Sequence, residues 1–203
     1  MVWDVLNVIG TIAFAISGAI IAMEVKYDII GTYALGMITA FGGGAVRNLL
    51  IGIPIENLWQ QTPLFIIALI TITIVFLLPA ETVHRMKKWN LFDAIGLSAF
   101  AVQGGMHAYS NDLPILAIMF SAAITGAGGG IIRDVLAQQK PIVFQKEVYL
   151  FWAMLAGFII GMGWAEKPYQ LYILFGVILV LRVMSYRLGW CLPIRTVTKL
   201  QEN

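Results

Sequence analysis

The chain has 203 residues, of which 60% are hydrophobic and 12% charged, with a formal net charge of +2 and a mean hydropathy of +0.85. That is far more apolar than an average soluble domain, and no basic aromatic patch accompanies the small positive balance, so a soluble globular domain and a nucleic-acid binder are both excluded. Cys191 stands alone, which excludes an intrachain disulfide and a cysteine-built metal cluster.

Apolar segments near the ~20 residues needed to cross a bilayer core follow one another along the chain. They predict an all-α integral membrane protein with spans at 3–23, 29–50, 63–80, 91–109, 114–137, 147–165 and 169–188. The first lacks the basic flank and small-residue cleavage site of a signal peptide, so it is read as a retained span. Glu24, Lys26 and Asp28 separate the first two spans, and Pro54, Glu56 and Pro63 the next pair. A polar run from Glu81 to Asn90 follows the third. Asn111, Asp112 and Pro114 divide spans four and five. Gln138 to Pro141 follow span five, and Glu166, Lys167 and Pro168 follow span six. One membrane domain over 1–190 results, with an extramembranous tail at 191–203.

Residues 42–50, from Gly42-Gly43-Gly44 through Arg47 and Asn48, return 86 positions later as Gly128-Gly129-Gly130 through Arg133 and Asp134. At the same offset Ile9, Gly10, Ala13, Phe14, Ala15, Gly18 and Ala22 meet Ile95, Gly96, Ala99, Phe100, Ala101, Gly104 and Ala108, and Thr39 meets Thr125. The chain therefore reads as two copies of one unit, 3–80 and 91–165, plus an added helix at 169–188. Three spans per copy is an odd number, so the second copy enters the membrane in the opposite sense. With Arg47 and Arg133 set aside, ten Lys and Arg residues fall on one face, among them Arg85, Lys140, Lys146, Arg182, Arg195 and Lys199, and only Lys167 on the other. The positive-inside rule then puts the 81–90 loop and the C-terminus in the cytoplasm and the N-terminus outside.

Three glycines in a row cost about 1 kcal/mol each in a helix interior. One reading is close helix packing through small residues. The other is that spans two and five kink or unwind at Gly42, Gly43, Gly44 and at Gly128, Gly129, Gly130, and line a shared central path. Arg47 and Arg133 follow each triplet. A buried arginine needs a partner or water, while one near a span end can snorkel to the interface. Asp134 is the nearby intraspan acid, and an Arg47–Asp134 contact across the repeat axis is expected. Asn48 stands where the second copy has Asp134, which makes the half-sites electrically unequal.

Ser17, Thr39, Gln103, Ser121 and Thr125 are candidates to line water or to bond between helices. Asp4, Asn7 and Asp93, at span starts, read as helix caps or as functional groups. His107 reads as interfacial, Lys146-Glu147 as a surface anchor, and Trp59, Trp89, Trp152, Trp164 and Trp190 as an aromatic belt. No nucleophile with its base, no phosphate loop and no metal ligand set is seen, so neither an enzyme nor a cofactor is expected.

Seven spans arranged as three, three and one, with the paired triplets, closely resemble the trimeric intracellular cation (TRIC) channels. The likeness is greatest to their prokaryotic branch, whose domain is also labelled a glycine-transporter domain. The stretches carrying the likeness are Gly126-Ala127-Gly128-Gly129-Gly130-Ile131-Ile132 and Gly104-Gly105-Met106-His107-Ala108, within a resemblance running from residue 5 to 188. It implies a homotrimer in the plasma membrane of a bacterium or archaeon. Each subunit would have its own hourglass pore between the repeats, conducting potassium or other monovalent cations such as sodium, with membrane lipid as the other partner. Animal members carry a lysine shortly before the paired glycines of span four. Ala101-Val102-Gln103 stands there in this chain, so their phosphoinositide regulation is not implied.

By the residues alone, a channel and a transporter stay open, beside a structural or lipid-handling membrane protein. Carbonyls freed before a helix break suit a dehydrated cation. Arginines and helix N-termini suit the carboxylate of glycine or another small amino acid, carried by a secondary transporter.

Overall fold

The computed structural model describes residues 2–54, 56–88, 90–144 and 148–193. Trp89, Lys146-Glu147, Arg195, Lys199 and most of the 191–203 tail, all interpreted above, lie outside the described residues, as do the side chains of Lys87 and Lys88. Among the described residues the elements are helical and none is a strand: α1 Val2–Glu24, α2 Ile29–Leu50, α3 Glu56–Trp59, α4 Thr62–Leu77, α5 Ala80–Lys88, α6 Leu91–Tyr109, α7 Ile115–Leu136, α8 Tyr149–Gly161 and α9 Pro168–Leu188.

Local chemistry sets many of these ends. Asp28 caps α2 by accepting the Gly31 backbone N–H at 2.7 Å. Pro63 and Pro168 sit in the first turns of α4 and α9, where a missing N–H costs nothing, and Gly189 closes α9 in the left-handed region at φ 64°.

α1, α2, α7 and α9 are each long and apolar enough to cross a membrane, and α4 joined to α5 makes a fifth candidate, bent by 120°. The segment expected at 63–80 therefore ends at Leu77. Pro79 stops α4, and the polar run expected as a loop begins instead as α5, carrying an exposed Arg85–Glu81 pair one turn apart. The segment expected at 147–165 contributes the 13-residue helix α8. At 1.5 Å per residue that is about 20 Å, less than a bilayer core of about 30 Å. α6 is less apolar for a different reason. It is sheathed by α1, α7, α8 and α9 rather than facing lipid, so Ser98 and Gln103 can be buried in it.

Sequence-equivalent helices run antiparallel. Gly10 of α1 lies under the Phe100 ring of α6, and Gly96 of α6 lies under the Phe14 ring of α1. The two rings meet at 5.3 Å between centroids. α2 and α7 cross at the glycine triplets. A side chain on Gly43 would come within 2.6 Å of the Thr125 carbonyl, and one on Gly129 would collide with the Thr39 carbonyl. At the far end, Tyr27 at the start of α2 donates to the Leu136 carbonyl at the end of α7, 2.6 Å away. α4 packs on α1 and α2, as α8 packs on α6 and α7, while α9 lies against α6 and α8.

Both α2 and α7 remain α-helical without interruption through their triplets. Unwinding is not found. The glycines let two helix backbones touch, and the packing gained at that contact offsets their poor helix propensity.

Candidate functional site: two opposed arginine cavities

Two cavities without a lining residue in common open at opposite ends of the α1–α2–α6–α7 cluster. One, of about 200 Å³, is lined by Ser17, Asp93 and Arg133 together with Ile20, Asn90 and Tyr186. The other, of about 310 Å³, is lined by Asn7, Gly44, Arg47, Gln103, His107 and Thr125 together with Trp3, Asp4 and Gln61. The Phe14–Phe100 pair and the Gly43–Thr125 and Gly129–Thr39 crossings lie between them.

Arg133 is 2% exposed and fully engaged. Its Nη1 donates to Asp93 Oδ1 at 2.8 Å and to Ser17 Oγ at 2.6 Å, and its Nε donates to Asp134 Oδ1 at 2.9 Å. The second oxygen of Asp134 accepts the Ile142 backbone N–H at 3.1 Å, which ties the segment after α7 to the same group. Arg182 of α9, 1% exposed, lies 3.9 Å from the outer oxygen of Asp93 and 4.2 Å above the Tyr149 ring. Two carboxylates thus face two guanidinium groups, and charges that would each be costly to bury are compensated in place.

Arg47 is 5% exposed and has a different environment. Its Nε and Nη2 donate to Asn48 Oδ1 at 3.1 and 2.8 Å, and its Nη1 is buried with no hydrogen-bond partner. No carboxylate among the described residues pairs with it. The expected Arg47–Asp134 contact is absent. α2 and α7 are antiparallel, so Arg47 climbs one way from the crossing and Asp134 the other. Four and five residues of helix put them about 13 Å apart along the axis.

The remaining candidates divide. Ser17, Gln103 and Thr125 line cavities. Thr39 and Thr125 each return their hydroxyl to a carbonyl one turn back, Leu35 and Ser121, at 2.6 Å. Ser121 donates across to the Gly104 carbonyl of α6 at 2.7 Å. Thr39 and Ser121 are not among the lining of either cavity. His107 lies on the cavity wall beside Trp3, with ring centroids 4.8 Å apart.

Two residues of the site escape a reading based on span interiors. Asp93 is not a cap, because it lies 1% exposed with its carboxylate on Arg133, and Asn90 starts α6 in the left-handed region at φ 45°. Arg182 counts towards the positive face in the sequence, yet it is buried within the bundle. The available signal was the repeat offset, which sets Asp93 opposite Asn7 just as it sets Asp134 opposite Asn48.

The glycine-transporter family model matches residues 4–80 and again 90–165. The UPF0126 membrane protein YvgT of Bacillus subtilis is 55% identical over 97% of this chain and 98% of its own length. The UPF0126 inner membrane protein YadS of Escherichia coli K12 is 31% identical over 98% and 97%. Among solved structures, one analysed for the structural basis of conductance through TRIC cation channels superposes with a TM-score of 0.86 at 35% identity. It covers 98% of this chain and 100% of that one. A prokaryotic TRIC channel crystallised in KCl gives 0.80 at 36%, over 93% and 97%. The trimeric intracellular cation channel orthologue from Rhodobacter sphaeroides gives 0.74 at 25%, over 93% and 96%. With two stretches matched by one family model and near-complete coverage in these relatives, this multi-pass membrane protein belongs to the glycine-transporter family, the prokaryotic branch of the TRIC channels.

Proposed function

We propose that the chain is a monovalent cation channel, permeable to potassium and, as a second ion, sodium. Its pore in each subunit would join the Arg133 and Arg47 cavities through the α1–α2–α6–α7 crossing. The observation that carries this reading is the pair of opposed polar cavities on the axis between antiparallel repeats, with the Arg133 guanidinium neutralised by Asp93 and Asp134. A cation meets no net positive charge at that end. In this reading α1, α2, α4, α6, α7, α8 and α9 are the seven spans, and the triplets act as the contact about which α2 and α7 move. The chain sits in the plasma membrane with the Arg133 cavity cytoplasmic and the N-terminus outside. Three copies assemble, as in the trimeric orthologue from Rhodobacter sphaeroides. The exposed apolar side chains of α4 and α9, among them Ile66, Ile70, Ile74, Ile173, Val177 and Val180, supply surface for lipid and for neighbouring subunits.

A second reading, transport of glycine or another small amino acid, is favoured by one observation: Arg47 presents a buried Nη1 with no hydrogen-bond partner, and no carboxylate among the described residues pairs with it. Purified protein in liposomes separates the two. The channel passes potassium down an electrical gradient in resolvable unitary steps without any amino acid. Saturable glycine uptake without unitary events would replace it by the transporter.

A further inference from the structure

The two arginine cavities are the same construction with its acids exchanged for amides. At the repeat offset, Arg133 corresponds to Arg47, Asp134 to Asn48 and Asp93 to Asn7. Around Arg133 both carboxylates are engaged with the guanidinium, and a side chain at Gly130 would find Tyr149, Asp93 and Arg133 within 3.7 Å. Around Arg47 both positions are neutral, and a side chain at the equivalent Gly44 would meet only Arg47 Nη2, 3.9 Å away. The space that protein oxygens fill in one half-site is open in the other. Arg47 Nη1 is buried and unpartnered there, on the wall of a cavity of about 310 Å³.

A guanidinium cannot shed its proton to relieve this, and its free N–H groups require acceptors. No side chain of the cavity wall reaches Arg47 Nη1. Asn48 spends its carbonyl on Arg47 Nε and Nη2, and Asn7 is turned to Gln61, to which it donates its amide at 3.3 Å. Water can fill the acceptor role but not the missing charge. We propose that the Arg47 cavity is a binding site for a small monovalent anion, chloride or the carboxylate of a small solute, held on Arg47 Nη1 in the position that carboxylates occupy beside Arg133. The bound anion makes the second half-site neutral, as Asp93 and Asp134 make the first. The site stands whether or not the pore conducts potassium.

The test uses the purified full chain in detergent and two probes in parallel, radiolabelled chloride and radiolabelled glycine. Crystals soaked in sodium bromide locate the halide by anomalous scattering. The expected result is saturable binding of at least one probe and, for a halide, a bromide peak beside Arg47 with none beside Arg133. Glycine that displaces chloride identifies a carboxylate site, whereas chloride binding indifferent to glycine identifies a halide site. Arg47→Gln should weaken binding about tenfold or more, the effect of losing a charge-assisted hydrogen bond. Asn48→Asp should do the same by supplying the carboxylate internally, in a protein whose thermal midpoint holds or rises. Binding of neither probe, or binding unchanged in Asn48→Asp, overturns the proposal. Potassium currents are not part of the readout, so a chain that binds the anion and conducts nothing would refute the channel reading alone.

Discussion

Arg133 of α7 and Asp93 of α6 meet at 2.8 Å with 3% and 0% of their side chains exposed, and this pair joins the two helices beneath the point where the repeats cross. Arg182 lies 3.9 Å from the other oxygen of the same carboxylate, so the added helix α9 brings a second guanidinium to one aspartate of the duplicated core.

Asp93→Asn removes a charge on which two buried guanidinium groups depend. Breaking a buried pair from one side costs about 3–5 kcal/mol. A drop of that order in the stability of the detergent-purified protein is expected, together with reduced potassium flux in liposomes. A variant as stable as the parent would show that water, not Asp93, compensates Arg133.

The charges should couple as the structure pairs them. In double-mutant cycles read by unfolding in detergent, Arg133→Gln with Asp93→Asn should depart from additivity by about 1 kcal/mol or more. Arg47→Gln with Asp134→Asn should add within about 0.5 kcal/mol, as separated sites do. Strong coupling of the second pair would mean that α2 and α7 slide past one another far enough to bring it together.

Glycines of one triplet should respond unequally. Alanine at Gly43 or Gly129 places a methyl group against a carbonyl of the facing helix, and overpacking of this kind costs about 1–3 kcal/mol. Alanine at Gly44 enters open space and should be neutral or stabilising by up to about 1 kcal/mol, the ordinary helix preference. Thermal midpoints of the three variants decide it, and equal behaviour would contradict the crossing geometry.

The two ends of the bundle should be reached from opposite sides of the membrane. Cysteines at His84 in α5 and at Asn111 between α6 and α7, in a Cys191→Ser background, should label with an impermeant reagent from the cytoplasm and from outside, respectively. Labelling of both from one side would mean that α6 does not cross the membrane, and the count of three spans per repeat would fail with it.

The sequence by itself determined the membrane class, the helices α1, α2, α6, α7 and α9 to within a few residues, and the offset that relates Arg47 to Arg133 and Gly43 to Gly129. These depend on hydropathy along a short window, on prolines and caps at fixed positions, and on self-similarity, all of which are local or one-dimensional. Only the tertiary structure decided that α2 and α7 stay helical through their glycines, because close backbone contact outweighs a propensity that the sequence scores residue by residue. It alone showed that Asp93 and Arg182 leave the helix ends for the interior. The partner of each arginine was likewise a matter of depth and crossing, although antiparallel repeats already imply that Arg47 and Asp134 lie at opposite ends. A buried charge is held by whichever group the neighbouring helix carries at its level, and that level is fixed by how glycines and phenylalanines let the helices approach.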